Sequence, residues 1–206
     1  MSTTICLVFP HQLFEQHPAF AHADAFWLIE DELFFTKLPF HQKKLALHRA
    51  SMNYYAEYLR SKNKKVAYFR SPVVELQEIF EQLKSIAAQL IVVDPTDFLL
   101  EKRIRRYTQQ FNLQLTWLEN PSFINSKADN IALFGQRERR FFLADFYKKQ
   151  RERLGILLDP NGQALGGRWS FDAENRKALP KGLALPVFPT YTSQWALNAQ
   201  QEIPAY

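Results

Sequence analysis

"LIVVDPTDFLLEKRIRRYTQQF", residues 90–111, sets an apolar, β-branched run against an amphipathic one across a short polar joint. Leu90–Asp94 reads as a strand, its unbroken apolar character suiting a strand covered on both faces. Asp97 stands four residues before Glu101 and just past Pro95, where a carboxylate can cap a helix over 97–111. Strand, loop and helix in close succession are the repeating unit of a parallel α/β sheet.

The same unit recurs outward from this stretch. Further strand candidates are 4–9, 25–30, 65–70 and 113–118. In 41–61, Leu45, His48, Met52, Tyr55 and Leu59 recur at helical spacing and predict one buried stripe. Helices are also predicted over 73–89 and 138–154, the last with a buried apolar first half, "FFLADFY", and an exposed basic second half. The alternation predicts a doubly wound, five-stranded, mostly parallel Rossmann-like sheet with helices on both faces, over residues 1–154. Such sheets bind ligands at the carboxyl ends of their strands, which directs attention to the loops starting at Pro10, Asp31 and Pro95. After Gly155 the texture changes. Residues 155–206 hold five of the six glycines and five of the eleven prolines, and read as an irregular extension and interdomain linker.

Composition excludes several classes of function. No glycine precedes Gly135, so neither a GxGxxG dinucleotide fingerprint nor a P-loop is available to the early strand–helix loops. The single cysteine, Cys6, leaves no disulfide frame, Cys-ligated zinc site or iron–sulfur cluster within the chain, and it reads as a buried strand residue. The five histidines lack the spacing of a helical metal site. No apolar run is long enough to span a bilayer and the start lacks a signal-peptide pattern, so the expectation is a soluble, cytoplasmic protein with no membrane partner. The net charge of +5 is concentrated between Asp97 and Arg153, where 12 Lys/Arg face 7 Asp/Glu.

Two groups of residues have binding chemistry. Pro10, His11 and Gln12 of the first loop can meet Glu30, Asp31 and Glu32 of the second, with Phe34 and Phe35 as walls. This composes a pocket with polar edges and aromatic faces for a flat heteroaromatic ligand, or else a polar loop with a Phe pair plugging the sheet end. An acid–base pair of His11 and Glu30 has no nucleophile motif beside it. The basic clusters carry Arg103, Arg106, Arg139 and Arg140 next to aromatic residues, a combination suited to phosphate contact and stacking as well as to a solvated helix face.

"LVFPHQLF", "LIEDELFF", "PFHQKKLALHRASMNYYAEYL", "FFLADFYKKQRERLGILLD" and above all "GGRWSFDAENRKALP" occur in order between residues 6 and 180. With them the chain resembles the N-terminal part of the deoxyribodipyrimidine photolyase-related proteins, the bacterial iron–sulfur cryptochrome and (6-4) photolyase branch. That resemblance implies an α/β antenna domain of a light-driven flavoprotein acting in DNA repair or light signalling. The antenna chromophore would be 6,7-dimethyl-8-ribityllumazine or another, held by the first two loops and the helix face at His48. FAD, a 4Fe-4S cluster and the DNA lesion would belong to a helical domain not contained in these residues, so this chain alone is not expected to repair DNA. Phe34 stands where lumazine-binding relatives would carry an acid, and Lys37 where they would carry an aromatic. Within the last motif, Gly166 and Gly167 allow a close backbone turn, and Trp169 and Phe171 can anchor the segment. Arg168, Asp172, Glu174, Asn175 and Arg176 supply polar contacts for the start of an interdomain connection.

Overall fold

A computed structural model describes residues 3–135 and 142–203, the side chain of Glu174 excepted. Five strands, β1 (Thr3–Val8), β2 (Ala25–Ile29), β3 (Lys65–Phe69), β4 (Ala87–Val93) and β5 (Leu115–Leu118), form one sheet in the order β3-β2-β1-β4-β5. All of the pairings are parallel. The helices are α1 (Glu32–Phe35), α2 (Gln42–Ser61), α3 (Leu76–Ile86), α4 (Phe98–Gln110), α5 (Lys127–Phe134), α6 (Leu143–Leu154) and α7 (Gln194–Glu202). Among the described residues, no helix is long and apolar enough to cross a membrane.

Strand alternation sorts the core into two layers. Ile5, Leu7 and Phe9 point to one face, where they pack with Leu76, Ile79, Phe80 and Leu83 of α3 and with Leu100, Ile104 and Tyr107 of α4. Cys6 and Val8 point to the other, against Leu45, Met52, Tyr55, Ala56 and Leu59 of α2. The predicted stripe of α2 is therefore the buried one, and burial pushes the Cys6 thiol well above its ordinary range. The chain winds outward from β1 through β2 to β3, crosses the sheet through α3, and winds the other way from β4. The strand order reverses between β1 and β4, the place in such sheets where a ligand crevice is expected at the carboxyl edge.

Asp97 caps α4 as its spacing predicts, its Oδ1 accepting from the Leu100 amide at 2.8 Å. Elsewhere the structure departs from the reading of the sequence. The predicted helix 73–89 ends at Ile86, because Ala87–Gln89 already pair with β1 as the start of β4. Alanine and glutamine favour a helix locally, and strand pairing overrides that preference. Of the predicted helix 138–154, residues 138–141 lie outside the described residues. In the rest the apolar first half is not buried, Phe142 and Leu143 being 72% and 78% exposed, while the basic half is exposed as expected except at Gln150 and Arg151. The Arg151 guanidinium donates to the carbonyls of Ile156, Leu157 and Trp169, and this collar of backbone acceptors draws that one side chain inward. The extension is not irregular throughout. Ser193 caps α7, whose contacts are chiefly with α2, and Arg70 pairs with Glu202 at 3.1 Å. The run of prolines before it hides this helix from a composition-based reading.

Contacts gather residues 1–127 with 190–206 into one compact unit and 128–189 into a second. The change of texture at Gly155 falls inside the second unit. The sheet and all of its carboxyl-edge loops belong to the first.

Candidate functional site

The loop after β1 reaches across the reversal point. Gln12 is fully buried and its Nε2 donates to the carbonyl of Val93 at 2.7 Å, while His11 Nε2 lies 2.9 Å from the carbonyl of Pro95. Pro10 leads this crossing directly out of β1. Two side chains thus tie the first loop to the fourth. His11 also packs on Phe34, ring centroids 5.0 Å apart, and Phe34 and Phe35 lie 6.3 Å and 5.9 Å from His48 of α2. The aromatic wall predicted from the two loops and the helix face is assembled as one cluster of rings.

The three acids of the second loop have separate tasks. Glu30 is committed to a buried clasp. Arg49 Nε and Nη2 reach its two oxygens at 3.0 Å and 2.6 Å, Tyr68 donates to Oε1 at 2.6 Å, and the Ser71 amide donates to Oε2 at 3.0 Å. Asp31 caps α1 through Oδ1, which accepts from the Leu33 amide at 2.9 Å and from Arg103 at 2.8 Å. Glu32 takes the other arm of Arg103 at 3.0 Å. Arg103, considered as a phosphate contact, is therefore held by two carboxylates, and Arg106 stacks on and donates to its neighbour Tyr107. Arg139 and Arg140 lie outside the described residues.

Three buried polar atoms at this edge have no partner among the described residues: Gln12 Oε1, Asp31 Oδ2 and His48 Nε2. Burial raises the Asp31 carboxyl above its usual range, opposed by the Leu33 amide and Arg103. It lowers His48, with Lys44 and His11 acting in the same direction. His11 is lowered by burial as well, against the Pro95 carbonyl and Asp97. Both imidazoles are thereby biased toward the neutral form. The arrangement offers hydrogen-bonding atoms beside packed aromatic and imidazole rings, a combination suited to binding a flat polar ligand.

Arg49 was not singled out from the sequence. It lies 19 residues from Glu30, and no local pattern announces the pairing. Asp97, read from sequence only as a cap, is also a carboxylate whose field reaches His11 and Asp31.

Residues 6–202 match the family of deoxyribodipyrimidine photo-lyase-related proteins. The chain belongs to this family. It is 32% identical over 190 residues to an uncharacterized protein of Acanthamoeba polyphaga mimivirus, an alignment covering 85% of this chain and 95% of the viral protein. It is 25% identical over 159 residues to a (6-4) photolyase of Agrobacterium fabrum, covering 73% of this chain but only 31% of the photolyase.

In the motif GGRWSFDAENRK, residues 166–177, Gly166 and Gly167 both have φ near +80°, at 80° and 77°. A side chain on Gly166 would meet Phe171, since a Cβ there would lie 2.9 Å from Cζ of that ring. Arg168 lies over Phe171 at 4.1 Å, the Trp169 carbonyl accepts from Arg151 at 2.9 Å, and Asp172 accepts from Asn175 at 2.9 Å. Arg176 is exposed. The motif is thus fastened to α6 inside the second unit.

Proposed function

We propose that this chain is the antenna-chromophore-binding α/β portion of a photolyase-related flavoprotein system serving light-driven DNA repair or light signalling. The observation that carries the reading is the set of unpartnered buried atoms, Gln12 Oε1, Asp31 Oδ2 and His48 Nε2, beside the His11–Phe34–Phe35–His48 rings. Buried polar groups are ordinarily hydrogen-bonded, so orphans at a sheet's carboxyl edge mark a place where a ligand can supply partners. A ribityllumazine or flavin has the matching chemistry: a flat ring for the aromatic wall and imide and hydroxyl groups for the orphans. Bound there, the chromophore would absorb light and pass its excitation to FAD. His11 and Gln12 fix the loop that would contact it, and the Glu30–Arg49 clasp holds α2 and His48 in place.

A single cysteine does not fit a 4Fe-4S cluster, and we assign both the cluster and FAD to a helical partner domain. The apolar stretch from Leu179 to Tyr191 supports such a partner. Within the second unit Leu185, Val187 and Phe188 are each at least 70% exposed, as apolar side chains awaiting a partner would be.

The test is titration of the purified chain with 6,7-dimethyl-8-ribityllumazine, riboflavin and a deazaflavin, reading chromophore fluorescence. Saturable quenching or polarisation by at least one of them, weakened by His48→Ala, is expected. No binding to any of the three would sink the antenna assignment.

A further inference from the structure

The second compact unit has its own groove. Phe146 and Tyr147 of α6 form one side; Trp169 and Phe171 form the other, with Asp172 and Asn175 along the edge. It encloses about 660 Å³, within the roughly 300–1,000 Å³ typical of small-ligand clefts. Tyr147 and Phe171 remain 42% and 43% exposed, with Arg168 over one face of Phe171.

The groove is built, and its surroundings are cationic. Arg151 is 4% exposed, and its guanidinium sits behind the aromatic wall, 5.5 Å from the Tyr147 ring and 5.1 Å from that of Trp169. Its hydrogen bonds go to the carbonyls of Ile156, Leu157 and Trp169, so backbone solvates its charge, and no acid pairs with it among the described residues. Lys148 lies 4.9 Å over Trp169 and 3.9 Å from Glu152, Arg168 lies 4.1 Å over Phe171, and exposed Lys149 lies 5.5 Å over Phe134, which packs on Phe146 at 5.3 Å. Residues 128–189 contain 11 Lys/Arg against 7 Asp/Glu, so this unit carries +4 of the chain's net +5.

We propose that this groove binds single-stranded nucleic acid, with an unstacked base laid on the Tyr147, Trp169 and Phe171 rings. Lys148, Lys149 and Arg168 meet the flanking phosphates. Asp172, Asn175 and Ser170 offer acceptors and donors to the base edge. Aromatic platforms flanked by Lys and Arg bind single strands through stacking and charge together, and a base held within a duplex cannot enter such a groove. A protein segment would leave the polar edge and the excess positive charge unused. This site is distinct from the chromophore site in its residues and in its compact unit.

The experiment is fluorescence anisotropy of a short labelled single-stranded DNA titrated with the full chain at low salt, alongside the same sequence as a duplex. The single strand should bind more tightly than the duplex. Phe171→Leu should weaken it about fivefold or more, as loss of a stacking partner does. Lys148→Glu with Lys149→Glu should flatten the salt dependence by about one to two phosphate contacts. Tyr147→Leu, on α6 and outside the loop, repeats the stacking test should Phe171→Leu perturb the fold by circular dichroism. Riboflavin or lumazine binding should be unchanged in these variants, which separates this site from the chromophore site. Absence of binding at low salt, equal affinity for strand and duplex, or indifference to both ring substitutions would overturn the proposal.

Discussion

His17 should make this protein acid-sensitive. It is 3% exposed and sits among Phe14, Phe20 and Phe26, the last edge-on at 5.4 Å. Its Nδ1 accepts from the Ala19 amide at 3.1 Å, capping the turn Pro18–Ala21, and its Nε2 is buried without a partner among the described residues. Nothing there stabilises an imidazolium, and burial lowers the pKa from 6.5 to about 4. The folded state therefore binds fewer protons than the unfolded state between those values. The resulting stability is fully present above the unfolded pKa and is lost as pH falls toward about 4, with a maximum of about 3 kcal/mol. That is a large part of the roughly 5–15 kcal/mol that holds a domain together. His17→Asn keeps a capping acceptor but removes the titration, and its cavity cost is independent of pH. Urea unfolding can be followed by fluorescence in a Trp169→Phe background, where Trp27, Trp117 and Trp195 all report on the sheet unit. His11 and His48 act in the same direction and cancel in the comparison. The stability gap between parent and variant should close by about 3 kcal/mol on going from about pH 7 to about pH 4. A gap that stays constant over that range would refute the reasoning.

Arg49→Met leaves the Glu30 carboxylate buried with only Tyr68 and Ser71 as donors, and should cost about 3–5 kcal/mol in urea unfolding. Adding Glu30→Gln should restore part of that loss, whereas a cost below about 1 kcal/mol for Arg49→Met would show that the clasp contributes little. Phe34→Ala should lower chromophore affinity about fivefold by removing a stacking face; a rise in affinity would identify the ring as a plug. Gly166→Ala places a side chain at φ 80° and against Phe171, and should destabilise the motif by about 1–3 kcal/mol. Hydrogen exchange of the amides in 166–175 measures this last effect, and unchanged protection would contradict it.

The sheet was legible because its strands are locally distinctive. Leu90–Val93 is apolar on both faces and Asp97 announces α4, and both readings survive in the structure. Ala87–Gln89 shows the limit: those residues have no strand preference of their own, and pairing with β1 decides their state. Arg151, in the otherwise exposed basic half of α6, misled for a related reason. Periodicity treats Arg151 as a surface charge, while three carbonyls contributed by the chain beyond the helix make burial possible. Of the candidate site, Phe34 and Phe35 were legible as conspicuous residue types just after a strand, whereas His48, within α2, entered only through the family resemblance. The division of labour among Glu30, Asp31 and Glu32 was not, because it depends on which arginine reaches each, from 19 and 72 residues away.

The charges around the chromophore site predict a preference among ligands. No glycine precedes Gly135, so the early loops cannot wrap their backbone amides around a phosphate, and Gln12 and His11 instead bridge them through side chains. The arginines nearest the site are already engaged, Arg49 with Glu30 and Arg103 with Asp31 and Glu32. Lys44 rests over Phe40 at 3.7 Å, while Asp97 and Asp31 add negative charge at the same edge. A phosphate brought there meets carboxylates without a cradle, and even a residual repulsion of about 1 kcal/mol is a factor of about five in affinity. Riboflavin should therefore bind more tightly than FMN, which differs from it only by the phosphate. Titrations of both at equal ionic strength, read by flavin fluorescence, measure the ratio, and added salt should narrow it because screening weakens the repulsion. Equal or tighter binding of FMN would mean that a cation is available to the phosphate. The ligand would then lie with its ribityl end toward Lys44 rather than toward Asp31 and Asp97.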